Sequence, residues 1–135
     1  MKQRRIILLV WTVVICLLTL LPGNCFPRIQ TFWDWLQWDK VVHLFMFGIF
    51  SILFLRVLTL SKATFSKYLI AFVTGGAFGG GIELLQFHVI RGRSGNFFDF
   101  YADLAGCLLC LFFYIIWEKR HFASKAEQTG FQKQS

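Results

Sequence analysis

The chain has 135 residues, of which 56% are hydrophobic and 16% are charged, and its mean hydropathy is +0.59. A soluble domain carries about 25% charged residues, and one soluble core of this size has no room for so many apolar side chains. Disorder is excluded for the opposite reason, because a disordered chain would leave this apolar surface in water. The composition therefore predicts a membrane protein.

Four apolar segments have lengths close to that of a membrane span. A hydrocarbon core of about 30 Å needs roughly 20 helical residues, and basic residues that reach toward the interface extend a shorter segment. The segments are residues 6–21, 41–60, 68–87 and 97–117. We predict an all-α membrane protein with four transmembrane helices. Residues 1–117 would form the membrane domain, and 118–135 a polar cytoplasmic tail that we expect to be disordered.

The first segment also has a feature of a secretory signal peptide. Basic residues precede it at Lys2, Arg4 and Arg5. A small-x-small cleavage site does not follow, however, and cleavage needs one. We expect an uncleaved anchor and keep cleavage as the alternative.

Basic residues are distributed unevenly between the two sides of the predicted helices. The net charge is +7, and with the N-terminus in the cytoplasm ten of the fourteen Lys and Arg residues fall on the cytoplasmic side. This is the bias of the positive-inside rule, so we predict cytoplasmic termini and a multi-pass protein of the cell (inner, cytoplasmic) membrane. The uneven distribution of Lys and Arg accounts for the positive net charge, and we expect no nucleic-acid partner.

The cysteines give no sign of redox or metal chemistry. Cys107 and Cys110 have C-x-x-C spacing, but they lie within an apolar helix and lack the strand–helix context of a redox fold. We interpret them as small packing residues. A metal-ligand set such as two histidines at helical spacing is not visible in the sequence, and we predict neither a metal nor a cofactor.

Polar residues gather near the predicted external ends of the last three helices. Each helix carries a pair spaced three or four residues apart and therefore on one face. An ionisable group in a membrane helix costs at least about 2.5–3.5 kcal/mol, so it usually faces a partner or a cavity. We predict one polar site from these pairs and the basic loop beside them: Asp39, Lys40, His43, Glu83, Gln86, Arg91, Arg93, Ser94, Asp99 and Asp103.

The same residues also have purely structural explanations. His43 would bond within the bundle, Glu83 would pair only with Arg91 or Arg93, and Asp99 would cap the fourth helix. A network that only holds helices together has the same sequence pattern. We favour a single site because the three pairs fall at one depth, and we predict that Glu83 lies within ion-pair reach of Arg91 or Arg93.

The third helix carries closely spaced glycines. Gly75 with Gly79 and Gly76 with Gly80 form two overlapping G-x-x-x-G pairs. A phosphate-binding loop would need a following Lys-Ser/Thr, which is absent here. Such pairs let helices approach closely, so we predict a packing role for these four glycines and for Gly106.

Five short motifs follow one another along residues 6–117. They are Leu21-Pro22-Gly23, Asp39-Lys40-Val41-Val42-His43, Glu83-Leu84-Leu85-Gln86, Arg91-Gly92-Arg93-Ser94-Gly95 and Asp99-x-x-x-Asp103-x-x-Gly106. In this order and spacing they resemble the VanZ-like family. The chain departs from the family pattern at Asp103, where relatives usually carry Asn. If Asp103 is ionised, the site carries one more negative charge than theirs.

The resemblance implies a small integral membrane protein of bacterial envelopes. The founding member of the family is associated with resistance to teicoplanin, a lipoglycopeptide that acts on peptidoglycan precursors outside the membrane. The resemblance therefore extends to effects on the cell envelope and on susceptibility to glycopeptide antibiotics. It supplies a fold and a location, but no reaction.

Binding is the function that the sequence favours. A membrane lipid or a lipid-linked envelope precursor would place its anionic head group at the outer face. There Lys40, Arg91 and Arg93 would bind the phosphate.

Two other classes of function stay open. An intramembrane enzyme on the same kind of substrate would use His43 with Asp39 or Glu83 as acid and base. A nucleophilic Ser or Cys beside a base is not evident in the sequence, so we assign no catalytic residue. A small transporter subunit ranks last because no inverted repeat is visible, and it would require a homo-oligomer.

Overall fold

A computed structural model describes residues 2–20, 38–58, 65–89 and 97–132. These residues form four α-helices: α1 (Lys2–Leu20), α2 (Trp38–Val57), α3 (Phe65–Val89) and α4 (Phe97–Gln132). Each helix is long and apolar enough to cross a membrane. The prediction of an all-helical protein with four membrane-spanning helices is confirmed to that extent.

Helix α4 extends well beyond the predicted membrane segment. It passes residue 117 without a break and ends at Gln132. The boundary proposed between membrane domain and tail therefore does not coincide with a helix end. The division itself, and the cytoplasmic location of both termini, stay predictions.

The outer surfaces of the helices are apolar. Leu9 on α1 and Phe113 on α4 are 66% and 65% exposed, and many other large apolar side chains are exposed with them. In water this surface would be costly, whereas in a bilayer it contacts lipid and the helical backbone bonds are satisfied internally. The exposed surface therefore fits a membrane-embedded bundle.

Helices α2 and α4 form the closest contact in the bundle. A Cβ at Gly106 of α4 would lie only 2.0 Å from the backbone carbonyl oxygen of Leu44 on α2. On the opposite side, a Cβ at Gly48 would lie 2.5 Å from Cys110 Sγ and 2.9 Å from the Gly106 carbonyl oxygen. The two backbones touch at this crossing because neither glycine has a side chain.

Helix α3 places its glycines against α4. A Cβ at Gly75 would lie 2.8 Å from Cys107 Sγ, and one at Gly79 would lie 2.7 Å from Asp103 Oδ2. The α4 side chains nearest to Gly75, Gly76, Gly79 and Gly80 are, in that order, Cys107, Leu104, Asp103 and Phe100. Close approach of these helices brings a buried carboxylate of α4 directly onto the α3 backbone.

Helix α1 packs against α2 and α3. The indole N–H of Trp11 donates to the Met46 carbonyl of α2 over 3.0 Å. Ile15 is fully buried in an apolar core with aromatic rings of α2 and α3, among them the stacked Phe50 and Phe78 with centroids 4.9 Å apart. This core lies on the inner side of α1 and fixes its position.

The end of the bundle that carries the N-terminus is rich in basic residues. There the Arg4 guanidinium donates to the Arg56 carbonyl over 3.2 Å, and the Tyr68 hydroxyl donates to the Glu118 carboxylate. Lys67 Nζ lies 3.9 Å from the same carboxylate. The acidic and polar side chains of the predicted site lie at the opposite end.

Candidate functional site

Three helices deliver their polar residues to one end of the bundle. His43 lies in the second turn of α2, Glu83 in the last two turns of α3, and Asp103 in the first two turns of α4. Because α2 and α4 run opposite to α3, these turns lie at the same end and at a similar depth. Helix periodicity then turns the three side chains inward.

The centre of the site is a buried pair between His43 and Asp103. His43 Nδ1 lies 2.9 Å from Asp103 Oδ1, and the two residues are 1% and 0% exposed. The imidazole also stacks on the Phe47 ring with centroids 6.1 Å apart. Asp103 contacts the α3 backbone at Gly79, as described above. The pair is thus fixed by contacts from α2, α3 and α4.

Glu83 completes a cluster of three ligand-type side chains. One nitrogen of His43, one carboxylate oxygen of Glu83 and one of Asp103 all lie within 4.8 Å of one another. Glu83 is partly exposed, whereas the other two residues are buried. We call His43, Glu83 and Asp103 the three-helix cluster. Its donor set is one that can hold a metal ion, although the sequence predicted none.

An ion pair between Lys40 and Asp99 lies one turn nearer the helix ends than the His43–Asp103 pair. Lys40 Nζ is 3.7 Å from Asp99 Oδ1 and lies over the Phe98 ring, 5.8 Å from its centroid. Asp99 is 5% exposed. This pair joins the first turns of α2 and α4 above the three-helix cluster.

Gln86 is turned toward α1. Its side-chain Nε2 donates to the Thr19 carbonyl over 2.7 Å, and the residue is 1% exposed. The sequence placed Gln86 with Glu83 on one face, and the described bond of Gln86 joins α3 to the end of α1. This residue therefore has an evident role in holding α1 on the bundle.

Part of the predicted site lies outside the residues that the structure describes. This applies to Arg91, Arg93 and Ser94, and to the side chain of Asp39. The predicted ion pair between Glu83 and one of the two arginines stays a prediction for that reason.

A groove between α3 and α4 was not anticipated from the sequence. It has a volume of about 950 Å³, and its walls are almost wholly apolar. On α3 it extends from Phe72 to His88, and on α4 from Phe97 to Leu104. Glu83 lines it as well, so the groove borders the three-helix cluster. The small residues of α3 were its signal, because they leave room beside the contact with α4.

Comparisons with known proteins provide one distant relative. The chain is 36% identical over 83 residues to an uncharacterized protein of Schizosaccharomyces pombe, a match that covers 61% of this chain and 49% of the yeast protein. The chain thus spans about half the length of this relative. No family model matches the chain, and no solved structure matches it.

Proposed function

We propose that this chain is a VanZ-like membrane protein that binds a lipid. The acyl chain would lie in the groove between α3 and α4, and the head group would lie at the polar end of the bundle. The observation that carries the proposal is the groove itself, which has almost wholly apolar walls and borders the three-helix cluster at Glu83.

The dimensions of the groove suit a lipid chain. Its volume of about 950 Å³ falls within the range of about 300–1,000 Å³ that ligand pockets occupy. Along α3 it extends over residues 72–88, which at 1.5 Å per residue is roughly 24 Å. One leaflet of a hydrocarbon core of about 30 Å is only half that thickness. The α3 side of the groove is therefore long enough to contact an acyl chain over its whole depth in the leaflet, while α4 lines it over residues 97–104, roughly 10 Å.

The basic residues near the polar end favour an anionic head group. Lys40 lies in the first turn of α2, at the same end as the groove's Glu83 and His88. Arg91 and Arg93 follow α3 directly in sequence. Guanidinium groups bind phosphate through two parallel hydrogen bonds, so these two are the natural contacts of a lipid phosphate or of a lipid-linked envelope precursor.

We place this end at the outer face of the membrane. The opposite end carries Arg4, Arg56 and Lys67 among other basic residues, and the positive-inside rule puts such an end in the cytoplasm. In a bacterial host, a lipid held at the outer face would affect the cell envelope and susceptibility to glycopeptide antibiotics, in keeping with the family resemblance.

The test is retention of lipid by the purified full-length protein. We would extract the protein gently, record native mass spectra, and compare wild type with Ala77→Trp and Leu9→Trp. Ala77 lines the groove, so an indole there fills it, whereas Leu9 is an exposed residue of α1 that does not line it. Wild type and Leu9→Trp should retain an anionic phospholipid, and Ala77→Trp should lose it. Equal retention by both variants, or a lipid-free wild type, would contradict the proposal.

An intramembrane enzyme is the second candidate, and the buried His43–Asp103 pair favours it. A carboxylate that holds an imidazole is the arrangement that orients a general base. Incubation of the wild-type protein with lipid-linked phosphates, followed by mass spectrometry of the lipids, distinguishes the two functions. Turnover that His43→Ala abolishes would establish catalysis, and unchanged lipids would leave binding as the function.

A further inference from the structure

We propose that the three-helix cluster is a binding site for one divalent transition-metal cation, with Zn²⁺ as the best match. His43 contributes an imidazole nitrogen, and Glu83 and Asp103 each contribute a carboxylate oxygen. The proposal rests on the geometry of the cluster and does not depend on lipid binding.

The spacing of the donor atoms is close to that of a coordination sphere. Zinc binds imidazole nitrogen at about 2.0–2.1 Å and carboxylate oxygen at about 2.0–2.2 Å, so two ligands of one ion stand about 3–4 Å apart. The three donors already lie within 4.8 Å of one another, and His43 Nδ1 is 2.9 Å from Asp103 Oδ1. Glu83 has one more rotatable side-chain bond than His43 or Asp103, so a change of its rotamer can close the remaining distance.

The donor types select the class of metal. Ca²⁺ and Mg²⁺ prefer ligand sets made of oxygen alone. One imidazole with two carboxylates is instead a mixed nitrogen and oxygen set, which suits Zn²⁺ and other first-row divalent ions. Three protein ligands also leave a coordination position for water or for a ligand from the groove, since Glu83 lines both sites.

The charge of the cluster matches a divalent cation. Metal ligation requires ionised carboxylates and a neutral imidazole, and in that state the cluster carries a charge of −2 among apolar helices. Electrostatic attraction is stronger in such a medium than in water, and charged groups in membrane spans are held by partners of opposite charge. A cation with charge +2 neutralises the two carboxylates together.

The positions of the ligands are held by the fold. Asp103 is fully buried and rests on the α3 backbone, where a Cβ at Gly79 would come within 2.7 Å of Oδ2. His43 is buried and stacked on Phe47. Each ligand comes from a different helix, so a bound cation would join α2, α3 and α4. Ligands on packed helices are placed more accurately than ligands on loops.

The experiment is a metal-binding titration of the full-length protein in detergent. The protein is stripped with a chelator, dialysed against Zn²⁺ in the presence of excess Mg²⁺, and its metal content is measured by elemental mass spectrometry. Wild type should bind one Zn²⁺ per chain. Glu83→Gln and Asp103→Asn, which keep side-chain size, should bind Zn²⁺ at least about tenfold more weakly. His88→Ala should bind as wild type does, because His88 is an exposed histidine of α3 outside the cluster.

A second measurement needs no variant and guards against loss of folding. Co²⁺ added to the wild-type protein should give visible bands of a nitrogen and oxygen site, without the thiolate charge-transfer band that binding at the free cysteines would produce. The proposal is overturned if wild type binds no Zn²⁺ or Co²⁺, if Glu83→Gln binds Zn²⁺ as tightly as wild type, or if the cobalt spectrum shows sulfur ligation.

Discussion

The crossing of α2 and α4 provides the sharpest test of the fold, through the substitution Gly106→Ala. An added Cβ would lie 2.0 Å from the Leu44 carbonyl oxygen and 2.9 Å from Leu44 Cα. Carbon–oxygen contacts between helices are ordinarily no shorter than about 3.3 Å, so the two backbones must separate by more than about 1 Å. Neither backbone can rotate out of the way as a side chain would.

The expected cost is at the upper end of the range for overpacked cores, about 3 kcal/mol. Separation of the helices also weakens dispersion contacts along the interface, since a gap of 0.5–1 Å forfeits roughly a quarter to a half of each contact's energy. His43 and Asp103 lie on the same two helices about one turn away, so their 2.9 Å contact should lengthen too. Gly106→Ala should therefore lower the stability of the protein and also weaken Zn²⁺ binding at the three-helix cluster.

The assay is reversible unfolding in mixed micelles of increasing SDS content, followed by circular dichroism. Gly81→Ala is the matched control, because a Cβ at Gly81 meets nothing within 4 Å. Alanine is favoured over glycine in a helix by up to about 1 kcal/mol, so this control should be neutral or slightly stabilised. If Gly106→Ala unfolds at the same SDS content as wild type, the close crossing of α2 and α4 is wrong.

The remaining predictions concern the attachment of α1 and the orientation of the chain. Gln86→Ala removes the hydrogen bond to the Thr19 carbonyl and should destabilise the protein by about 1–3 kcal/mol in the same assay. The control Gln3→Ala, at an exposed residue of α1, should change the stability by less than about 0.5 kcal/mol. Equal effects of the two substitutions would refute the role of Gln86. A reporter fused after Ser135 should be active as a cytoplasmic fusion, because ten of the fourteen basic residues then face the cytoplasm. If a reporter that is active only outside the cell works at that position, the orientation is the opposite one and the polar end of the bundle faces the cytoplasm.

The four helices could be predicted from the sequence because membrane spans are recognisable by their length and apolar composition. Their ends were less accessible. The sequence predicted spans over 41–60 and 68–87, whereas α2 runs from Trp38 to Val57 and α3 from Phe65 to Val89. At Trp38, Phe65 and Val89 the helix extends beyond the predicted span, because backbone hydrogen bonds continue past the apolar segment that hydropathy detects. At the other end of α2 the helix ends at Val57, before residue 60, because apolar character alone does not fix where the backbone hydrogen bonds stop.

The partners within the polar site could not be obtained in the same way. Periodicity shows which residues of one helix share a face, and it placed Asp39 beside His43 and Glu83 beside Gln86. It does not show how the helices are rotated against one another. The contact of His43 with Asp103 joins residues 60 positions apart in the chain.

The metal-type donor set was missed for a related reason. A search for two ligands at helical spacing examines one helix at a time. In the three-helix cluster each helix supplies a single ligand, so no helix carries the pattern alone. Only the packing of α2, α3 and α4 against each other brings the three donors within 4.8 Å.

Glu83 connects the two proposals, because it lines the groove and belongs to the three-helix cluster. The two functions are nevertheless separable by substitution. Ala77 lines the groove without belonging to the cluster, and Asp103 belongs to the cluster without lining the groove. Ala77→Trp should abolish lipid retention and leave zinc binding intact. Asp103→Asn should weaken zinc binding and leave lipid retention intact. If Glu83→Gln impairs both, the cation and the head group meet at this carboxylate, and the cation would then provide the positive charge that an anionic head group requires.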